Sequence, residues 1–320
     1  MGAYQPSRIV ANSEIIEKIE STDEWIRQRT GIETRRFAEA DESVLDMAEA
    51  ACQQALSRAK ISIDQIDTVI LATFSYPFQA PSGATALIAR LGNPKAAAFD
   101  ISAACAGFCY GVGMAHDFIR SGTSKHVLVV GAEKLSDFTD PYDRATAFIF
   151  ADGAGAVVIG PSDDPGIGPM VWGSDADSRD AILLEPSWNA LRQGGSEGAW
   201  PYISQQGQTV FRWAVFSMSK AGLRALDAAG VSPDQLDAFI PHQANVRIIE
   251  SMAREMKLPE KVVIAKDIRT SGNTSAASIP IAMSALLAEH PELHGGLALL
   301  IGYGAGLVYA GQVVQLPPKP

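Results

Sequence analysis

At 320 residues and 47% hydrophobic composition, the chain suffices for one large domain or two half-sized ones with a substantial core, which excludes extended disorder. A formal net charge of -10, with 19% charged residues and no basic run, excludes a surface that tracks nucleic acid. Three cysteines, Cys52, Cys105 and Cys109, are too few for a disulfide scaffold and form no CxxC pair, so a reducing, cytoplasmic setting without a structural metal is expected.

The opening MGAYQPSRIVANSE has no continuous apolar stretch and does not read as a signal peptide. Residues 43–59 carry a helical apolar face and lead to a strand at 68–73. Residues 96–100 predict a short strand, and 101–122 (ISAACAGFCYGVGMAHDFIRSG) a turn and a buried helix of small and apolar side chains. A strand at 126–131 follows, and the polar turn 162–169 marks a boundary between halves 1–165 and 166–320. Residues 174–207 read as an insertion carrying specificity loops. A second helical face at 215–229 precedes a strand at 238–240, and 266–290 opens with glycine, asparagine and hydroxyl residues before an apolar helix. The uncharged stretch 295–318 is long enough to raise a membrane span, but Gly302, Gly304, Gly306 and Gly311 predict two buried strands around a glycine turn instead.

The pattern repeats. ISIDQIDTVIL (61–71) overlays VSPDQLDAFIP (231–241); the same offset brings HVLVVG (126–131) onto GLALLI (296–301) and Cys105 onto Ser275. A shorter offset sets GAGAV (153–157) against GAGLV (304–308). Matches in one order favour an internal duplication, each half an α/β layer with a mainly parallel sheet.

Cys105 falls at the first turn of the 101–122 helix, where free amide hydrogens and the positive helix end favour a thiolate and a lowered pKa. A small buried hydrophobe is the competing reading. His242 directly follows a buried strand, at the end where open α/β sheets bind ligands; a satisfied core histidine is its alternative. Asn273 stands near a helix start, where it either caps the helix or directs its amide to a bound carbonyl.

Beyond these three residues, the chain resembles the beta-ketoacyl-acyl carrier protein synthases of the initiating type, synthase III, within the thiolase-like superfamily. The resemblance runs through STDEWIRQRTGIETRR (21–36), DISAACAGF (100–108), DPYDRATAFIFADGAGAVV (140–158), PHQANVRII (241–249), SGNTSAAS (271–278) and GYGAGLVYAG (302–311). It implies a duplicated five-layer αβαβα fold, a homodimer, and a catalytic Cys105, His242 and Asn273. It further implies an acyl-CoA substrate, a malonyl-acyl carrier protein partner, and no cofactor. Under the same resemblance the backbone amides of Cys105 and Ala305 form an oxyanion site, and Trp25, Arg29, Arg144 and Gln208 contact CoA. Ala80, Leu135, Phe150 and Leu184 line the acyl pocket, Ala80 from the dimer-partner side, and Arg212, Arg247 and Arg254 dock the carrier protein.

Departures from the family pattern bear on substrate choice. Ala80 stands where acetyl-specific members often place Phe, Gln208 where Asn is common, and Thr270-Ser271 where a more basic segment is usual. These leave open a longer primer and a secondary-metabolite pathway, with a non-catalytic carrier-protein binding subunit as a further alternative. The family's apolar strand before GAYQP, read as interior to the first sheet, is expected to extend beyond Met1. A biosynthetic thiolase is disfavoured by the cysteine-free GYGAG, and an elongating ketosynthase by Asn273 in place of a second histidine. A hydroxymethylglutaryl-CoA-synthase-like enzyme needs a catalytic glutamate, for which Glu133 is the candidate.

Overall fold

Helix and strand periodicities resolve into two five-stranded sheets, seen in a computed structural model that describes residues 1–194 and 200–319. The first half supplies β1 (Gly2–Tyr4), α1 (Val44–Ala59), β2 (Thr68–Ala72), α2 (Gly83–Leu91), β3 (Ala97–Ile101), α3 (Gly107–Arg120), β4 (Val127–Lys134) and β5 (Asp152–Ile159). The second supplies β6 (Val171–Ser174), α4 (Gly207–Ala229), β7 (Ala238–Pro241), α5 (Val246–Glu255), β8 (Val263–Ile264), α6 (Ser278–Glu289), β9 (Leu297–Gly304) and β10 (Val308–Gln315). The strand orders are β1-β5-β4-β2-β3 and β6-β10-β9-β7-β8, the same order twice.

Local chemistry explains the elements. Ser43 and Asp46 form a capping box at the start of α1; Val44, Met47, Ala48, Ala51, Cys52 and Ala55 then fall on one buried face, and Lys60 ends the helix in the left-handed conformation. α1 and α2 cover the outer face of the first sheet, and α4 and α5 that of the second. α3 and α6 lie between the sheets, one from each half, and share a core with both. The result is the five-layer αβαβα arrangement of the thiolase-like fold.

Several expectations are corrected. Each sheet is mixed: β2 pairs in parallel with β3 and β4, but β5 is antiparallel to β4 and β1, and the second sheet repeats this. The shorter-offset match fails, because GAGAV lies inside β5 whereas GAGLV forms the turn after β9. β5 corresponds instead to β10, since β5 flanks β4 as β10 flanks β9, and HVLVVG falls on LALLIG (297–302) rather than GLALLI, since Val127 pairs with Thr68 as Ala298 pairs with Ala238. Three residues join β9 to β10, but 135–151 separate β4 from β5. The counterpart of Cys105 is Ala276 and not Ser275: the one-turn helices Ala104–Ala106 and Ser275–Ala277 are equivalent, and their first residues share a positive φ, 45° and 48°.

β1 occupies an edge of the first sheet, beside β5, rather than an interior position, and the helix read over 215–229 starts earlier, α4 beginning at Gly207. The 295–318 stretch forms the antiparallel pair β9 and β10, and among the described residues no helix is long and apolar enough to cross a membrane. In the 174–207 insertion, Ile182–Glu185 pairs with Tyr202–Gln205; residues 195–199 of it lie outside the described residues.

Candidate active site

Cys105 sits in the one-turn helix between β3 and α3, with the strained φ of Ala104 just before it. The end of β9 presses against it: a Cβ on Gly304 would lie 2.7 Å from the Cys105 nitrogen and 3.1 Å from its sulfur, so only glycine permits this approach. Ala305, the next residue, lines the same cavity as Cys105.

His242 follows β7 and is buried, its backbone nitrogen donating to Ile301 O at 2.7 Å. Its Nδ1 lies 2.7 Å from Ser278 Oγ, which also accepts from Gln243 N at 3.3 Å. With Gln243 N donating to Ser278, the serine hydroxyl is placed to donate to Nδ1, leaving the Nε2 proton as the imidazole's donor. Burial lowers the His242 pKa to about 3, so the ring is neutral across the working pH range.

Asn273 is held through its backbone, its nitrogen donating to Ile149 O and its carbonyl accepting from Ala151 N, both at 2.9 Å. Its Oδ1 accepts from Ser275 N at 2.9 Å. Capping and substrate-directed roles are therefore compatible: Oδ1 closes the turn, and Nδ2 remains as a donor.

The three side chains line one cavity of about 540 Å³. Burial pushes the Cys105 thiol up to about 12, with the Glu133 charge adding to the rise and Ser275 offsetting part of it. This reverses the lowered pKa expected from the helix end, because desolvation of the thiolate outweighs the favourable amides. Among the described residues no hydrogen bond joins the thiol to His242. Carboxamidomethylation of Cys105 by iodoacetamide, followed by peptide mass, should accelerate about tenfold per pH unit from about pH 7 to about pH 10. A rate that levels off near neutrality would contradict the raised pKa.

At the mouth, Thr22 caps the helix Asp23–Thr30 by accepting from Trp25 N at 3.1 Å. The guanidinium carbons of Arg29 and Arg144 each lie 5.5 Å from the Trp25 ring centroid, and Phe148 meets that ring edge-on at 5.5 Å. Arg144, Phe148 and Phe150 all come from 135–151, the segment without a counterpart in the second half. Buried Arg35 anchors it by donating to Phe148 O at 3.0 Å and to Asn12 Oδ1 at 2.6 Å. Arg29 and Gln208 line the cavity itself.

Arg212 and Arg247 also line the cavity, with Arg247 5.4 Å from the Phe211 ring; Arg254 does not, but stands exposed farther along α5. Of the acyl-pocket residues, only Phe150 lines the cavity. Leu135 is wholly buried in the cluster behind Phe150, Leu184 packs on that cluster, and Ala80 lies on an exposed loop outside its own chain's cavity. Glu133 lies outside the lining, its Oε2 accepting from Thr73, Phe74 and Ser75, and burial raises its carboxyl to about 7. Sequence reasoning missed Ser278, Trp213, Ile203 and Tyr303 around the site. Tyr303 alone carried a local signal, an aromatic between two glycines.

Residues 99–176 match the family described as 3-Oxoacyl-[acyl-carrier-protein (ACP)] synthase III, and 226–316 its C-terminal counterpart. The chain is 56% identical to beta-ketoacyl-[acyl-carrier-protein] synthase III 1 of Streptomyces coelicolor, over 99% of this chain and 95% of that protein. It superimposes with a TM-score of 0.96 on the priming beta-ketosynthase of the R1128 polyketide biosynthetic pathway, at 44% identity, covering 100% and 95% of the two chains. For the synthase III of Aquifex aeolicus the TM-score is 0.90 at 38% identity, covering 98% and 97%.

Proposed function

The chain belongs to the 3-oxoacyl-[acyl-carrier-protein] synthase III family of condensing enzymes, and from that premise we propose that it joins an acyl-CoA primer to malonyl-acyl carrier protein, releasing CoA and CO2. What carries this reading is the convergence of Cys105, His242 and Asn273 on one cavity whose mouth bears Arg29, Arg212 and Arg247.

The Cys105 sulfur attacks the primer thioester carbonyl as its S–H proton is given up, the bond to the CoA sulfur breaks, and CoA leaves as the thiol bearing that proton, so that an acyl-cysteine remains. The backbone amides of Cys105 and Ala305 receive the oxyanion. Malonyl-carrier protein then enters, its C–C bond to the carboxylate breaks, and CO2 departs. The electron pair stays on the substrate as an enolate, whose oxygen accepts from His242 Nε2 and Asn273 Nδ2. Both donors are neutral, so they strengthen as charge develops without surrendering a proton. The enolate carbon attacks the acyl carbonyl, and Cys105 leaves as thiolate.

Trp25 and Arg144 offer flat faces to adenine, while Arg29 and Gln208 line the path of the CoA arm. Arg212, Arg247 and Arg254 form a cationic exception on a chain of net charge -10, suited to an acidic carrier protein. A homodimer accounts for two features: β3 ends the first sheet with its outer edge unpaired among the described residues, and Ala80 is exposed on a loop available to a partner's pocket. Cysteine usage fits a cytoplasmic setting. Likeness to a priming beta-ketosynthase favours a second reading, in which the same condensation starts a polyketide.

The test is product formation from malonyl-carrier protein with acetyl-, butyryl-, isobutyryl- and longer acyl-CoA. A 3-oxoacyl-carrier protein product is expected, with butyryl or short branched primers competing with acetyl-CoA and Ala80→Phe suppressing the larger ones. Each added methylene contributes about 0.8 kcal/mol when buried. Absence of product with every primer would sink the reading, and a steep acetyl preference would sink the larger pocket.

Reversing Arg247 and Arg254 to Glu is expected to raise the KM for malonyl-carrier protein and flatten its salt dependence. Because Arg247 lines the cavity mouth, the double variant will also slow acylation by CoA thioesters, whereas Arg254→Glu alone will not. An unchanged KM for the carrier protein in the double variant would reduce these charges to ordinary surface.

A further inference from the structure

Arg35 is fully buried, yet among the described residues its guanidinium donates only to neutral oxygens. Nη1 reaches Val10 O at 3.2 Å, and Nη2 reaches Asn12 Oδ1 at 2.6 Å and Phe148 O at 3.0 Å. Glu14 and Asp23 act on it through space. A buried cation that no carboxylate meets is costly, and an apolar side chain of similar volume often serves folding as well or better. The three acceptors come from separate stretches of chain, an arrangement that suits the planar fork of a guanidinium and not the single point of an ammonium.

What Arg35 joins lies at the cavity mouth. On one side Asn12 passes the link on, its Nδ2 donating to Asp23 Oδ1 at 2.7 Å and to Ile32 O at 2.9 Å. These two residues bracket the helix Asp23–Thr30 that carries Trp25 and Arg29. On the other side Phe148 meets the Trp25 ring edge-on and belongs to the 135–151 segment that carries Arg144. Arg29 and Arg144 thus face one indole, each at 5.5 Å, from two segments that a single buried guanidinium ties together. We propose that Arg35 is a positioning residue for the nucleotide end of CoA: it touches no substrate, but it fixes Trp25 and Arg29 relative to Arg144. This deepens the reading of the CoA contacts and rests on it. Burial lowers the guanidinium pKa to about 10, so the cation and its donors persist across the working pH range. The reacting groups have separate anchors, Asn273 on Ile149 O and Ala151 N and His242 on Ser278, so the effect should be confined to thioesters that carry the nucleotide.

Acylation of Cys105 is measured with acyl-CoA and with the acyl thioester of N-acetylcysteamine, which has the same reacting group and no nucleotide. In Arg35→Lys, which keeps the charge and loses the fork, the preference for acyl-CoA in kcat/KM is expected to fall about 5-fold to about 30-fold, the size of two cation–π contacts, through a higher KM. The rate with the short thioester and the decarboxylation of malonyl-carrier protein should match the unaltered enzyme. Asn12→Ala, which leaves Arg35 on Val10 and Phe148 but uncouples it from the helix, should lower the same preference, and it carries the test if Arg35→Lys does not fold. An unchanged preference in the folded variants overturns the proposal. Equal losses with both thioesters would make Arg35 a general support of the fold and overturn it as well. No preference for acyl-CoA in the unaltered enzyme rejects the CoA contacts themselves, whereas a preference there that survives in the variants rejects only the role of Arg35.

Discussion

Incubated with heavy acyl-CoA, the protein is expected to gain one acyl mass per chain on the peptide containing Cys105, and Cys105→Ala to gain none. Cys52 and Cys109 do not substitute, because both are buried, Cys109 at 0% exposure among the residues between the sheets. Condensation should fall to background in the variant, since among the described residues Cys105 is the one thiol that lines the cavity. Decarboxylation of malonyl-carrier protein should persist, because its donors, His242 and Asn273, make no hydrogen bond to the sulfur and keep their own anchors on Ser278 and on Ile149 and Ala151. Label that survives in Cys105→Ala would defeat the assignment. Loss of decarboxylation together with label would mean that the thiol supports the donors' geometry.

The second large effect is expected from His242→Ala and Asn273→Ala, each lowering decarboxylation and condensation by about 10²- to about 10³-fold, the range for losing an oxyanion donor. Acyl transfer to Cys105 should largely survive, since its oxyanion is served by backbone amides. The pH dependence separates His242 from an acid-base role. Its folded pKa, lowered to about 3, means the imidazole is already neutral from about pH 5 upward, so the decarboxylation step should show no inflection from this residue near neutrality. An inflection near pH 6.5 that disappears in His242→Ala would overturn the neutral-donor role, as would equal loss in both half-reactions. Linkage runs the same way: the folded state disfavours the charged ring, so His242 costs stability as pH falls below its ordinary unfolded pKa.

Much of the fold was legible because it is written at short range. The glycine turn at 302–306 and the apolar runs beside it announce the β9 and β10 hairpin, and Ser43 with the apolar spacing behind it announces α1. The duplication was visible wherever the two halves keep the same spacing, as between β2 and β7; β4 lies on β9 one residue off that spacing, since Val127 pairs with Thr68 as Ala298 pairs with Ala238. It slipped where lengths differ: the 135–151 segment displaces β5 relative to β10, and one residue near the active turn moves the counterpart of Cys105 to Ala276. Letter matches follow chain position, whereas equivalence in the fold follows strand pairing and turn conformation.

By itself, then, the sequence determined the elements, the paired α/β architecture and the residues Cys105, His242 and Asn273 as chemistry-bearing types in suitable local contexts. Only tertiary structure decided their environment. The helix end at Cys105 is a local feature that argues for a thiolate, but the dense packing of α3, α6 and the end of β9 around it raises the thiol instead. Wall residues such as Phe148 and Ile203 come from segments far apart in the chain, and the three acceptors of Arg35 are visible only once every neighbour is in place. Desolvation and hydrogen-bond satisfaction depend on what surrounds a group in space, and neither is encoded in the few residues on either side of it.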